Sequence, residues 1–194
     1  YSSSLIFSNS SRVLRGEEVL SFAPYYSVTG NPGLSPDTLR GAGNEIESVY
    51  RWFRGRVFTG NRATETNFRL AMQKPALFHL AMHSVSDPID SRYSYLLFDT
   101  HNDTLEDGKL YNYEICLSRL KSPMVVLSAC NSGTGTLYHG EGLMSLARGF
   151  ILAGASSVIR TAWEVNDEVS AKIISHFYQH LSEGKHKDEA LRLA

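Results

Sequence analysis

The sequence lacks any long hydrophobic segment and carries almost no net charge. None of its apolar runs approaches the roughly 18 residues of a membrane-spanning helix, so we expect no membrane contact. Nineteen lysines and arginines stand against twenty aspartates and glutamates, which gives a net charge of −1. Because this balance supplies no electrostatic attraction for phosphates, we expect no direct contact with nucleic acid either.

Cysteine is also scarce. Cys116 and Cys130 are the only two, which is too few for the disulfide framework of a small secreted domain and favours a reduced, cytoplasmic setting. The Gly-x-Ser-x-Gly elbow of serine hydrolases and the Gly-x-x-x-x-Gly-Lys phosphate loop are both missing. A cysteine is therefore the better candidate for a nucleophile than a serine on an elbow.

The length suits one domain of ordinary size. The chain opens without methionine and stops inside a helical pattern, so we expect it to be a piece of a longer protein. Residues 1–17 are rich in serine and are predicted to be a linker or mobile remnant. Residues 18–194 are predicted to form the folded domain.

Apolar runs alternate with helical patterns along this domain. Strands are predicted at 18–24, 56–58, 76–82, 124–130 and 156–161, with a hairpin formed by 93–99 and 109–111. Helices are predicted at 42–54, 64–73, 112–120, 142–153, 166–183 and 187–194. This order indicates an α/β fold with a mainly parallel central sheet and helices on both faces.

Cys130 ends the most strongly apolar of these strands, just before a glycine-containing turn. Ligands of open α/β sheets bind at the carboxyl ends of the strands, where Cys130 is expected. A cysteine at such a place is a candidate nucleophile, although a free cysteine more often only packs in the core.

His83 holds the matching position at the end of the strand predicted at 76–82, before a polar loop predicted from Ser84 to Pro88. If the two strands are parallel neighbours, both side chains emerge at the same edge of the sheet. A thiol and its proton acceptor need this geometry.

Several segments together carry a family resemblance. They are Leu-Ala-Met-His at 80–83, Leu-Ser-Ala-Cys-Asn-Ser-Gly at 127–133, Gly-Glu-Gly-Leu at 140–143, Ala-Gly-Ala-Ser-Ser-Val at 153–158, and Trp163 with Asp167. In this order they resemble the CHAT family of caspase-like peptidases, over most of the chain from about Ala42 onward.

The resemblance implies a caspase-like three-layer sandwich and a catalytic pair formed by His83 and Cys130. The backbone N–H groups of Ser84 and Cys130 would form the oxyanion hole by analogy with caspases. The family usually has glycine where this chain has Ser84. If that position requires a positive φ, serine is strained there.

The substrate would pair with the segment that follows the strand predicted at 156–161. Trp163 offers an apolar wall, while Glu164 and Asp167 could receive a basic side chain. Asp167 could instead simply cap the last helix, and Arg160 would prefer an acidic partner. His139, in the loop predicted after Cys130, is a further candidate for the pocket.

His79 and His83 lie four residues apart, so a metal pair is conceivable, but no third ligand has helpful spacing. We therefore interpret His79 as a core histidine, expect no metal, and expect no other cofactor. Cys116 lies on an apolar helix face and is interpreted as core packing.

Two functions remain open. The first is a cysteine endopeptidase that cleaves a protein partner and is regulated by a repeat or sensor region elsewhere in a larger bacterial protein. Some relatives of the family look like parts of bacterial defence systems. The alternative is a catalytically silent interaction module, for which Ser84 is the main argument.

Overall fold

The fold is built around a parallel sheet. The structure, a computed structural model, describes residues 14, 16–24, 39–128, 139–160 and 167–194. Within them lie eight strands: β1 (Val19–Ala23), β2 (Gly55–Thr59), β3 (Leu77–Ala81), β4 (Ser84–Val85), β5 (Tyr95–Leu97), β6 (Lys109–Tyr111), β7 (Val125–Ser128) and β8 (Val158–Arg160). Five of them form the central sheet in the order β2-β1-β3-β7-β8, and every pairing in it is parallel.

Six helices accompany the strands in the described residues. They are α1 (Leu39–Trp52), α2 (Glu65–Ala71), α3 (Asn112–Leu117), α4 (His139–Ala153), α5 (Asp167–Ser182) and α6 (Lys187–Leu193). Thr64 caps α2 as its sequence predicts, because its side-chain oxygen accepts a hydrogen bond from the Asn67 N–H at 3.2 Å.

Both faces of the central sheet are covered by helices. Successive residues of a strand point to opposite faces, and in β3 Leu77 packs with α1, α5 and α6 whereas Phe78 packs with α2, α3 and α4. β1 and β3 are buried along their whole length, which explains their continuous apolar runs. The predicted three-layer α/β sandwich is therefore confirmed.

A second, smaller sheet is antiparallel and has the order β4-β5-β6. The hairpin of β5 and β6 is the predicted one, with a short 3-10 helix over Ser91–Tyr93 before it. The prediction of a loop that starts at Ser84 is wrong for its first two residues, because Ser84 and Val85 form β4. A strand of two residues is too short to show the alternation from which strands are predicted.

Several element ends differ from their predicted positions by two or three residues. α1 begins at Leu39 and α3 ends at Leu117. α4 begins at His139 instead of position 142, so the prediction of His139 as a loop residue is wrong. The glycines in the first turn of α4 suggested a later start, but their low helix propensity is a weak preference that tertiary packing overrides.

Candidate active site

The two strands that lead to the candidate catalytic residues are parallel neighbours, as the dyad hypothesis requires. β3 pairs with β7 in a register that sets Leu80 opposite Leu127 and Ala81 opposite Ser128. In the sequence, His83 comes two residues after Ala81 and Cys130 comes two residues after Ser128. Cys130 lies outside the described residues, and its placement beside His83 stays a prediction.

His83 lies where the chain leaves the central sheet and enters the smaller one. It is buried, with 4% of its surface exposed. Its carbonyl oxygen accepts a hydrogen bond from the Leu97 N–H at 3.0 Å. The backbone of His83, the candidate base, is thus fixed by β3, which precedes it, and by the hydrogen bond from β5.

The register of the small sheet fixes the direction of the Ser84 N–H. In an antiparallel pair, hydrogen-bonded and non-hydrogen-bonded residue pairs alternate. The Leu97 N–H donates to His83, so the pair of Ser84 and Leu96 next to it is of the non-bonded kind. The Ser84 N–H therefore points away from β5. This direction suits an oxyanion donor, which must not be used in the pairing of the two strands.

Serine fits the backbone at position 84. Ser84 belongs to a strand and has extended backbone, and the positive φ values of the described residues belong to glycines elsewhere. A β-carbon is unstrained in extended backbone. The departure from the family's glycine therefore leaves both the N–H donor and the backbone conformation intact.

A buried polar network lies on the α1 side of the sheet below this edge. One Glu45 oxygen accepts a hydrogen bond from the Ser128 hydroxyl at 2.7 Å. The other Glu45 oxygen is 3.2 Å from His79 Nε2, at an angle outside hydrogen-bond geometry. His79 Nδ1 is 3.2 Å from the Tyr178 hydroxyl. His79 is fully buried and Glu45 is 4% exposed, so His79 is a core histidine, as predicted.

Tyr178 contributes a protonated hydroxyl to this network. Burial raises the pKa of Tyr178 well above its ordinary value, and the nearby Glu45 charge adds to the rise. Tyr178 therefore keeps its proton, and the direction of its hydrogen bond with His79 Nδ1 depends on the histidine tautomer.

Glu45 and Ser128 are residues that the sequence analysis missed. One signal was present: Glu45 precedes Val49 by one turn and Ile46 by one residue, so a carboxylate lies on the apolar stripe of α1. A buried acid on such a stripe needs donors. The donor in this case is the Ser128 hydroxyl of β7, which the sequence pattern of α1 does not reveal.

The substrate-binding candidates are only partly within the described residues. Trp163 and Glu164 lie outside them. Asp167 is the first residue of α5, and His139 is the first residue of α4. Arg160 is half-buried at the end of β8, where burial lowers the pKa of its guanidinium.

Cys116 differs from a reactive thiol. It is half-buried in α3, and burial raises the pKa of its thiol. A higher pKa leaves less thiolate at neutral pH, so Cys116 is a suitable internal reference for the reactivity of Cys130.

Two kinds of feature are absent from the described residues. Across the described ranges, no helix combines the length and the apolar character that crossing a bilayer requires. In the same part of the chain, no three or more histidine, cysteine, aspartate or glutamate side chains are grouped so that they could hold a metal ion.

Comparison with known families agrees with this geometry. The family model described as CHAT domain matches residues 2–194. The chain belongs to the CHAT domain family. CHAT domains are generally caspase-like cysteine peptidases, and the sandwich described above has the expected architecture of that fold. No curated protein matches this CHAT domain.

Proposed function

We propose that this CHAT domain is a cysteine endopeptidase in which Cys130 is the nucleophile and His83 its base. The observation that carries the proposal is the register of β3 and β7, in which Ala81 pairs with Ser128, each two residues before a proposed catalytic residue. The family supports it, since CHAT domains are generally cysteine peptidases.

The proposed reaction is hydrolysis of a peptide bond in a protein substrate. The Cys130 thiolate attacks the carbonyl carbon, and His83 then donates a proton to the leaving amine as the acyl-enzyme forms. Water, deprotonated by His83, next attacks the acyl-enzyme and releases the thiol. The Ser84 and Cys130 N–H groups would stabilise the oxyanion in both steps.

The residues that would bind the substrate are proposed by analogy with caspase-like folds. An extended peptide would pair with the chain that follows β8, against Trp163. Glu164 and Asp167 would receive a basic side chain, with His139 as a further wall of the pocket. Control by a repeat or sensor region in a longer bacterial protein, and a role in defence, belong to the same proposal.

The silent interaction module is the weaker candidate. Its main argument was Ser84, and this argument loses force because Ser84 has extended backbone in β4. The two functions differ in a measurable property, which is the reactivity of the Cys130 thiol.

The test measures turnover of a peptide library by wild type, Cys130→Ala, His83→Ala and the double variant. Each single change should reduce cleavage to background, and the double variant should be no worse, because residues that act as a unit are strongly non-additive. Cys116→Ala is the matched control and should cleave within about two-fold of wild type, since additivity holds for independent sites. Undiminished cleavage by Cys130→Ala would refute the proposal.

Alkylation by iodoacetamide distinguishes a chain that has no dyad from a chain that has the dyad but lacks its activator. We expect Cys130 to react much faster than Cys116, and His83→Ala to abolish the difference. A chain that cleaves nothing but shows this pattern keeps the dyad. Equal rates at the two cysteines, together with no cleavage, would favour the interaction module.

A further inference from the structure

The Glu45 carboxylate contacts both strands that lead to the proposed dyad. Its Oε2 accepts from Ser128, the last residue of β7, and its Oε1 lies against His79 of β3. Ser128 comes two residues before Cys130 and His79 comes four residues before His83. Alternate residues of a strand share a face, so these contacts lie on one face of the sheet, which is the face expected for both catalytic positions if the alternation continues past the strand ends.

A carboxylate is energetically unfavourable at this buried position. Glu45 is 4% exposed, and burying a charge costs free energy that only good donors offset. Most of the surroundings are apolar, since Val49, Leu77 and Val126 are buried in the cluster on this face. The buried Ser21 of β1, which pairs with His79 in the sheet, is a further polar residue there. An apolar side chain would pack as well, so stability alone gives no reason for Glu45 and its partners.

Tyr178 connects the network to α1 and α5. Tyr178 of α5 lies 3.2 Å from His79 Nδ1 and packs edge-on against Phe53 at the end of α1, with ring centroids 5.6 Å apart. α1 and α5 are thus joined around the same histidine. Glu45 is consequently held by its own helix while it contacts the last residue of β7 and the middle residue of β3.

We infer that Glu45 is a positioning residue for the proposed dyad, acting through Ser128 on Cys130 and through His79 on His83. The inference rests on the proposed function. The Ser128 hydroxyl ties the last residue of β7 to α1 two residues before Cys130, and a displacement of even about 1 Å at a nucleophile can slow its reaction on the order of a hundred-fold.

Ser128→Ala is the main test because it deletes one hydroxyl and leaves Glu45 and His79 in place. Ser122→Ala is its matched control. The Ser122 hydroxyl is buried between the same two strands at their other end, 2.7 Å from the Ala76 carbonyl oxygen and 2.8 Å from that of Met124. Glu45→Gln, which keeps the shape of the side chain, is the second variant.

The measurement is the rate of Cys130 alkylation by iodoacetamide from pH 5 to 9, with Cys116 as reference and thermal midpoints alongside. We expect Ser128→Ala and Glu45→Gln to lower the alkylation rate of Cys130 by about ten-fold or more at neutral pH. Both variants should also shift the rise of this rate with pH to higher pH. Ser122→Ala should lower the midpoint comparably and leave the Cys130 rate within about two-fold of wild type.

Two results would overturn the inference, and they differ in what they say about the proposed function. If wild-type Cys130 is fast and Ser128→Ala and Glu45→Gln leave its rate and titration unchanged, the network is only structural and the dyad stands. If wild-type Cys130 is no faster than Cys116, there is no dyad to position and both proposals fall.

Discussion

Glu65 is a buried carboxylate whose environment makes it sensitive to pH. Its side chain is 1% exposed, and Arg69 lies 2.6 Å from one of its oxygens. Arg69 also pairs with Glu106 and Glu114. Burial raises the pKa of Glu65 to about 7, with Arg69 opposing the rise and the two other glutamates adding to it.

This raised pKa makes stability depend on pH in a definite direction. An unfolded chain releases the Glu65 proton near its ordinary pKa of 4.5, whereas the folded chain holds it up to about pH 7. The free energy of unfolding should therefore fall between these two pH values, by at most about 3 kcal/mol from this group, and stay level above them.

Glu65→Gln tests the effect, because glutamine keeps the shape and does not titrate. Relative to wild type, the variant should gain up to about 2 to 3 kcal/mol between pH 5 and pH 8, measured by urea unfolding at several pH values. Glu47→Gln is the control, since Glu47 forms an exposed pair with Arg51 and such pairs contribute little. Parallel stability curves for wild type and Glu65→Gln would contradict the prediction.

Ser84 gives a second prediction at the residue scale. Its backbone is extended and 2% of its surface is exposed, so glycine would relieve no strain. Ser84→Gly should lower the free energy of unfolding by about 0.5 to 1 kcal/mol through backbone entropy and should not raise turnover. Ser84→Ala, which keeps the β-carbon, isolates the loss of the hydroxyl. A faster Ser84→Gly enzyme would show that catalysis needs a different backbone at this position.

At the scale of elements, the close approach of β1 and β2 depends on one glycine. Gly55 lies opposite Val19 in the parallel register. A β-carbon built on Gly55 would lie 1.7 Å from the Val19 carbonyl oxygen, a contact with backbone that no rotamer change can relieve. The edge strand β2 can therefore pair only if its first residue has no side chain.

Gly55→Ala should accordingly destabilise the domain by at least about 2 to 3 kcal/mol, which urea unfolding would detect. Gly43→Ala is the matched control. Gly43 lies in α1, and a β-carbon added to it would meet no atom within 4 Å, so alanine there should stabilise by about 0.5 to 1 kcal/mol. Equal effects at the two glycines would contradict this account of β2.

The elements themselves were predictable where a strong pattern repeats. β1, β3 and β7 are short apolar runs, and α1 carries Ile46 and Val49 on its buried side, with the buried Phe53 directly after its last residue. β4 was not predictable, because Ser84 and Val85 carry no pattern and become a strand only by pairing with β5. The ends of several elements also differ from their predicted positions by two or three residues, since capping and packing decide the last turn of a helix.

At the scale of the whole molecule, the three layers follow from the alternation of strands and helices. The two faces differ in content. One carries an aromatic cluster in which Phe68 contacts the rings of Phe22, Phe78, Phe98 and Phe150. The other carries the network of Glu45, His79 and Tyr178. The largest apolar cluster thus lies on one face of the central sheet, and the network of Glu45, His79 and Tyr178 lies on the other.

The sequence by itself determined the fold class, the family, and the two residues of the proposed dyad, because hydrophobic period and strand-end motifs are local features of the chain. The tertiary structure decided what depends on contacts between distant segments. It set the register of β3 against β7, turned the Ser84 N–H away from β5, and gave Glu45 its partners on two strands. Periodicity states that a face is buried, whereas only packing states which side chains meet there.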